Sequence, residues 1–112
     1  MAWPSGRYAL STQDLVVSLR TYVSGPYELA HLVDVVGQVE RVTGYPIAGR
    51  EVLEIGANIG TTTVPLITLI GAVHVTAIEP VPGNCELLSR TIALNGLNDR
   101  VTVHGVALSD RE

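Results

Sequence analysis

With 112 residues, 46% of them apolar, the chain is expected to form one domain, burying roughly 60 to 70% of its unfolded surface. Eleven Asp and Glu against seven Lys and Arg give a formal net charge of −4, which argues against a nucleic-acid partner because phosphate-backbone binding is driven by cations. Aromatic residues make up only 4%, too few to stack bases along a basic stripe, so a small-molecule or sugar partner is expected. No uncharged apolar run reaches roughly 18 residues and no charged start leads into an apolar leader; no membrane contact is expected, and the cytoplasm is the expected compartment. The lone Cys85 forms no internal disulfide and reads as a small buried residue on a helix.

In chain order, 1–10 contains Pro4 and Gly6 without periodicity and reads as an irregular lead-in. Ser11 or Thr12 is placed to cap a helix with Leu15, Val16, Leu19 and Val23 on its apolar face and Asp14 in its first turn, ended by Ser24, Gly25 and Pro26. A second helix over Tyr27 to Val42 sets Leu29, Leu32, Val33, Val36 and Val39 at helical spacing. A loop with Gly44, Pro46 and Gly49 follows. Val52, Leu53 and Ile55 form a run too short for an amphipathic helix and read as a buried strand, stopped by Gly56 and Gly60. Thr61 to Ile70 has helical length, with Pro65 tolerable near the first turn and Gly71 closing it. Val73 to Ile78 reads as a second strand. Asn84 to Leu94 reads as a helix with Leu87, Leu88, Ile92 and Leu94 inward, and Val101 to Leu108 as a third strand. Strand, helix, strand, helix, strand is one half of a doubly wound parallel α/β sheet of Rossmann-like type, which divides the chain into an amino-terminal helical lead-in (1–49) and a partial cofactor-binding domain (50–112).

The turn from the first strand into its helix is where such sheets bind nucleotide-like cofactors, because glycines admit close approach and the helix start offers unpaired N–H groups. A dinucleotide fingerprint needs glycines where the chain has Gly56, Asn58 and Thr61, and only the first fits. A phosphate-cradling loop needs a Gly-Lys-Ser/Thr ending, but Gly60 precedes Thr61, Thr62 and Thr63 and no lysine lies between Arg50 and Arg90. What remains is Glu54, Gly56, Asn58 and Gly60 at alternate positions, a loop with one carboxylate and no cation. It suits a cationic ligand without phosphate, and S-adenosylmethionine, with sulfonium and ammonium groups, is of that kind. Glu54 is placed to hold the loop amides and the ligand's ammonium. Gly56 and Gly60 admit the amino-acid portion or serve as turn and helix-packing residues, with Ala57 between them, and Asn58 tolerates a left-handed backbone while offering hydrogen bonds. Thr61 reads as a cap that is also within reach of the ligand. Glu79, about 20 residues after the loop, is placed to accept both hydrogen bonds of a ribose diol, and its charge would repel a 2′-phosphate. His31, His74 and His104 lack metal-ligand spacing, so no metal is expected, and they read as structural or surface residues.

The segments V-L-E-I-G-A-N-I-G-T-T-T-V-P-L, A-I-E-P-V-P-G-N-C-E-L-L, I-A-L-N-G-L and R-V-T-V-H-G-V-A-L-S-D resemble the FkbM family of S-adenosylmethionine-dependent methyltransferases from about Val52 onward. The family's usual aspartate is Glu54 here, and an asparagine common on its second helix is Thr91. Tyr27 and Glu28 resemble an upstream element of related proteins and read as a solvated helix start. The resemblance implies methyl transfer to a hydroxyl of a small metabolite, polyketide or sugar, and places Val106, Ala107 and Asp110 near the adenine. It also implies that acceptor-facing groups, including any general base, come from later strands, so that the chain corresponds to a cofactor-binding front half. Two rival readings are a nicotinamide-dependent oxidoreductase fragment and a non-catalytic, partner-dependent module. Because the first strand of a doubly wound sheet pairs outward with the fourth, Val52, Leu53 and Ile55 are expected on an open edge. Self-association, pairing with another chain or partial unfolding is then expected unless the amino-terminal helices cover that edge.

Overall fold

The computed structural model describes residues 2–26 and 28–111. The expected helix start and upstream element at Tyr27 therefore lie outside the described residues, as do the first and last residues of the chain. Among the described residues no helix is long and apolar enough to cross a membrane.

Three parallel strands carry the fold, β3 (Glu51–Ile55), β4 (His74–Ile78) and β5 (Val101–His104), in the order β3-β4-β5. They follow a two-strand antiparallel ribbon of β1 (Ala2–Trp3) and β2 (Gly6–Arg7). Register sets Val52 beside Val75 and Val75 beside Val101, and Glu54 beside Ala77 and Ala77 beside Val103. These residues share one sheet face because side chains alternate along a strand. On that face sit the helices α3 (Thr63–Thr68) and α4 (Pro82–Leu94), whose Val64, Ile67, Leu88 and Ile92 join Val75, Ala77 and Val101 in the core.

The opposite face is bare at β3, where Leu53 is 61% and Ile55 64% exposed. The expectation of a buried strand therefore holds only for Val52, which packs on the core. β3 is one of the sheet's two edge strands among the described residues, and no described element covers its second face. The strand was readable from its residues, but burial on both faces depends on neighbours that a single strand cannot reveal.

Four helix expectations need correction. The first helix is α1 (Val17–Ser24), not one capped by Ser11 or Thr12. The Asp14 carboxylate accepts the backbone N–H groups of Val16, Val17 and Ser18 at 2.9, 3.2 and 2.7 Å, starting the helix later. Its buried residues are Val17, Ser18 and Thr21, while Leu15, Val16, Leu19 and Val23 face outward. In α2 (Leu29–Thr43) no residue is fully buried; Leu29, Leu32 and Val36 are half-covered and Val33 and Val39 are exposed. α3 is shorter than Thr61 to Ile70 and ends before Gly71. α4 begins at Pro82, since proline at a first helical position loses no needed N–H, and it turns Leu88, Thr91 and Ile92 inward, leaving Leu94 exposed.

The lead-in is not irregular filler. Tyr8 is fully buried in the core, and burial raises its phenol pKa against a smaller opposing effect of the Ser5 hydroxyl. The Asn95 amide holds the backbone of Arg7 from both sides, accepting its N–H at 2.8 Å and donating to its carbonyl at 2.6 Å. Thr91 Oγ1 accepts the Ala9 N–H at 2.9 Å. These contacts strap residues 7–9 across the end of α4. Finally, β5 stops at His104 rather than Leu108, and 105–111 continues as an exposed, irregular segment.

Candidate functional site

The glycine turn lies at the carboxyl end of β3, and two backbone bonds pin its start: Gly56 and Ala57 N–H both donate to Ile78 C=O, at 2.8 and 3.0 Å. Ala57, expected beside a ligand, is buried with its side chain in the core, so only its backbone remains for contact. Asn58 adopts the left-handed backbone anticipated for it, at φ 53°. The two glycines have different jobs. A Cβ on Gly56, at φ +78°, would meet nothing within 4 Å, so the space above it is open to a ligand. A Cβ on Gly60, at φ +95°, would stand 3.0 Å from Leu88 Cδ1 and 3.2 Å from Thr91 Cγ2. Gly60 therefore permits the loop to pack on α4, the helix-packing role of the two expected of it.

Both acidic residues are present at the turn and both are held by the protein. Glu54, half-buried on the core face, accepts the hydroxyls of Thr62 and, at 2.5 Å, Thr63 on its two carboxylate oxygens. Burial raises its pKa, and the two threonine hydrogen bonds oppose that rise without cancelling it. Glu79, 5% exposed, links three segments: Oε2 accepts Asn58 N–H at 2.8 Å, and Oε1 accepts Val81 N–H at 2.9 Å and Asn84 Nδ2 at 3.4 Å. A carboxylate offers about four lone-pair sites. Three are engaged, so a ribose diol would find one free site and the weak Asn84 contact to displace.

Thr61 is buried but caps nothing, since the residue preceding α3 is Thr62 and it makes no side-chain capping bond. Val106 and Ala107 are exposed just past the carboxyl end of β5, at the same end of the parallel sheet as the glycine turn and Glu79; Asp110 lies further along the same exposed segment. Cys85 Sγ contacts Glu79 C=O at 2.9 Å and lies 3.6 Å from a Cβ built on Gly105, closing the space between α4 and β5. His74 bonds Thr102 across the bare sheet face at 2.9 Å. Sequence reasoning missed the roles of Thr62, Thr63 and Asn84. The signal was the acid before a glycine turn that is followed by three consecutive hydroxyls, where a buried carboxylate needs donors.

This three-stranded parallel sheet with helices packed on it is the Rossmann-like fold of methyltransferases. No protein-family model matches the sequence. The chain is similar to the METTL16 methyltransferase domain, with a TM-score of 0.61 at 18% identity over 100% of this chain and 51% of that one. It is also similar to MtNAS solved with S-adenosylmethionine, with a TM-score of 0.54 at 21% identity over 80% of this chain and 32% of that one. In sequence it is 34% identical over 64 residues to a Danio rerio tRNA wybutosine-synthesizing protein 2 homolog, covering 57% of this chain and 16% of that protein. The chain thus spans a minor part of that relative and about half of the METTL16 domain.

Proposed function

We propose that the chain carries the S-adenosylmethionine site of a methyltransferase that acts on a hydroxyl of a small molecule. The observation that carries the reading is the Glu79 clamp: a buried carboxylate at the end of β4 holds Asn58 N–H beside the open space over Gly56. A negative group at that position accepts ribose hydroxyls and rejects a 2′-phosphate. The donor chemistry fits the cofactor, since the turn offers the remaining acceptor site of Glu79, has a second carboxylate, Glu54, behind it and carries no cationic side chain.

When bound, S-adenosylmethionine supplies an electrophilic methyl group on a sulfonium, which passes to the acceptor oxygen as the sulfur leaves as a neutral thioether and the acceptor's proton is released. The chain's part is to hold and align. Glu79 offers its remaining lone pair to the ribose, the open backbone at Gly56 receives the amino-acid portion, and Glu54 sets the loop through Thr62 and Thr63. The motif resemblance assigns adenine to backbone groups of Val106 and Ala107, past β5. Proximity is the main catalytic contribution available to such a site.

The FkbM-like subtype rests on the motif segments from Val52 onward. RNA as acceptor, suggested by the name of the zebrafish relative, is disfavoured by the net charge of −4. Calorimetry with S-adenosylhomocysteine and NAD tests the cofactor reading. Binding of S-adenosylhomocysteine in preference to NAD is expected, and NAD binding without a response to S-adenosylhomocysteine would remove it.

A further inference from the structure

Between the end of α1 and the start of α2 lies a cavity of about 520 Å³, lined by Arg20, Ser24, Glu28, Leu29 and His31 among others. A second cavity of about 180 Å³ is lined by Glu28, His31, Leu32, Val35 and Thr62. Glu28 and His31 line both, so the two cavities adjoin along these shared side chains and are read together as one groove. Its inner end is Thr62, whose hydroxyl donates to Glu54 at the glycine turn. Its outer end is Arg20.

Three features say what this groove suits. The side chains of Arg20, Glu28 and His31 make no hydrogen bond or ion pair among the described residues, so their polar groups remain available to a ligand. The guanidinium of Arg20 and the carboxylate of Glu28, both lining the larger cavity, complement a ligand carrying both signs of charge, whereas Glu28 would repel a polyanion. Between them and Thr62 the wall is apolar, formed by Leu29, Leu32 and Val35. Glu28 also holds a left-handed backbone at φ 61° without being glycine, and backbone strain of this kind gathers at binding sites.

We propose that this groove binds a small zwitterionic acceptor, its charged head on Arg20 and Glu28, its apolar body along Leu29, Leu32 and Val35, and its nucleophile at the Thr62 end. This rests on the methyltransferase reading and supplies what that reading lacks, an acceptor class and the residues that select it. His31, which from sequence reads as structural or surface, becomes the one imidazole on the path between head and nucleophile.

The test uses the full chain with S-adenosylhomocysteine present and three probes sharing one phenol: L-tyrosine (both charges), tyramine (cation only) and 4-hydroxyphenylacetate (anion only). L-tyrosine should bind about tenfold more tightly than either, the difference one charged contact makes. Arg20→Gln should erase the advantage over tyramine, and Glu28→Gln the advantage over 4-hydroxyphenylacetate. Both side chains are exposed, so the variants should retain the parent circular dichroism. Equal binding of all three probes, an L-tyrosine preference that survives both substitutions, or no L-tyrosine binding by a chain that binds S-adenosylhomocysteine overturns the proposal. The S-adenosylhomocysteine titration is scored separately and bears on the cofactor reading, whereas the probe preference bears on the groove.

Discussion

The carboxyl edge of the sheet and the two amino-terminal helices are built on opposite terms. At the sheet edge almost every polar group is spoken for: Glu79 and Glu54 between them bind the glycine turn, the α4 entry and the start of α3. In α1 and α2 the apolar side chains lie largely outside, with Val23 66% and Val42 84% exposed, and the few inward groups of α1 include Ser18 and Thr21. The first region is held by directional bonds to a preformed loop, the second by partial cover over a groove. Pre-formed geometry suits a cofactor whose every group must be placed, and loose cover suits an acceptor that must come and go.

Substitutions can break or sharpen that contrast. The largest effect is expected in the loop itself. Gly60→Ala should cost about 3 kcal/mol, combining a left-handed backbone with a Cβ forced against Leu88 and Thr91, while Gly56→Ala, with the same backbone sign but open space, should cost only about 1 to 2 kcal/mol. Urea unfolding of both variants measures the gap, and equal losses would mean that Gly60 does not pack on α4.

Glu54→Gln should stabilise the chain at neutral pH. Burial raises the Glu54 pKa in the folded state above its ordinary 4.5, so the folded form binds the proton more tightly than the unfolded. The stability from that proton is fully present below pH 4.5 and is lost as pH rises through the folded pKa. The advantage of the glutamine variant should therefore shrink as the pH is lowered. A gap that widens on acidification would reverse the assignment.

Asp14→Ala should cost about 1 kcal/mol, the usual loss when a carboxylate that receives helix-start N–H groups is removed. Desolvation opposes ionisation of Asp14, but the bonds from Val16, Ser18 and Val17 outweigh it and lower the pKa. The cap should thus hold above the ordinary 3.8 and fail as pH drops through the lower folded value. Smallest of all, Leu15→Ser should change stability by no more than about 0.5 kcal/mol; a loss of core size there would place α1 the other way round.

The same contrast explains what could be read from the residues alone. The strand Glu51–Ile55, the glycine turn and Glu79 were legible because each follows from local chemistry: β-prone residues, two glycines four residues apart, an acid closing a short apolar run. That Thr62 and Thr63 would hold Glu54, or that Asn84 would reach Glu79, needed the strand and helix ends to be brought together. The inward side of α1 was not legible, since helical spacing identifies a stripe but not which side the core will accept. Ser18 and Thr21 displaced Leu15 and Leu19 from the inside. Tyr8 escaped notice for a similar reason, because its burial depends on Asn95 and Thr91 far along the chain.

The proposed ribose contact depends on one side chain, Glu79, which also holds the Asn58 N–H of the loop. Titrating S-adenosylhomocysteine into the parent chain and Glu79→Ala, with folding of the variant checked by circular dichroism, measures it directly. Removing charge-assisted hydrogen bonds should weaken binding by about 1 to 3 kcal/mol, or roughly 5- to 150-fold. An unchanged dissociation constant in a folded variant would contradict the account.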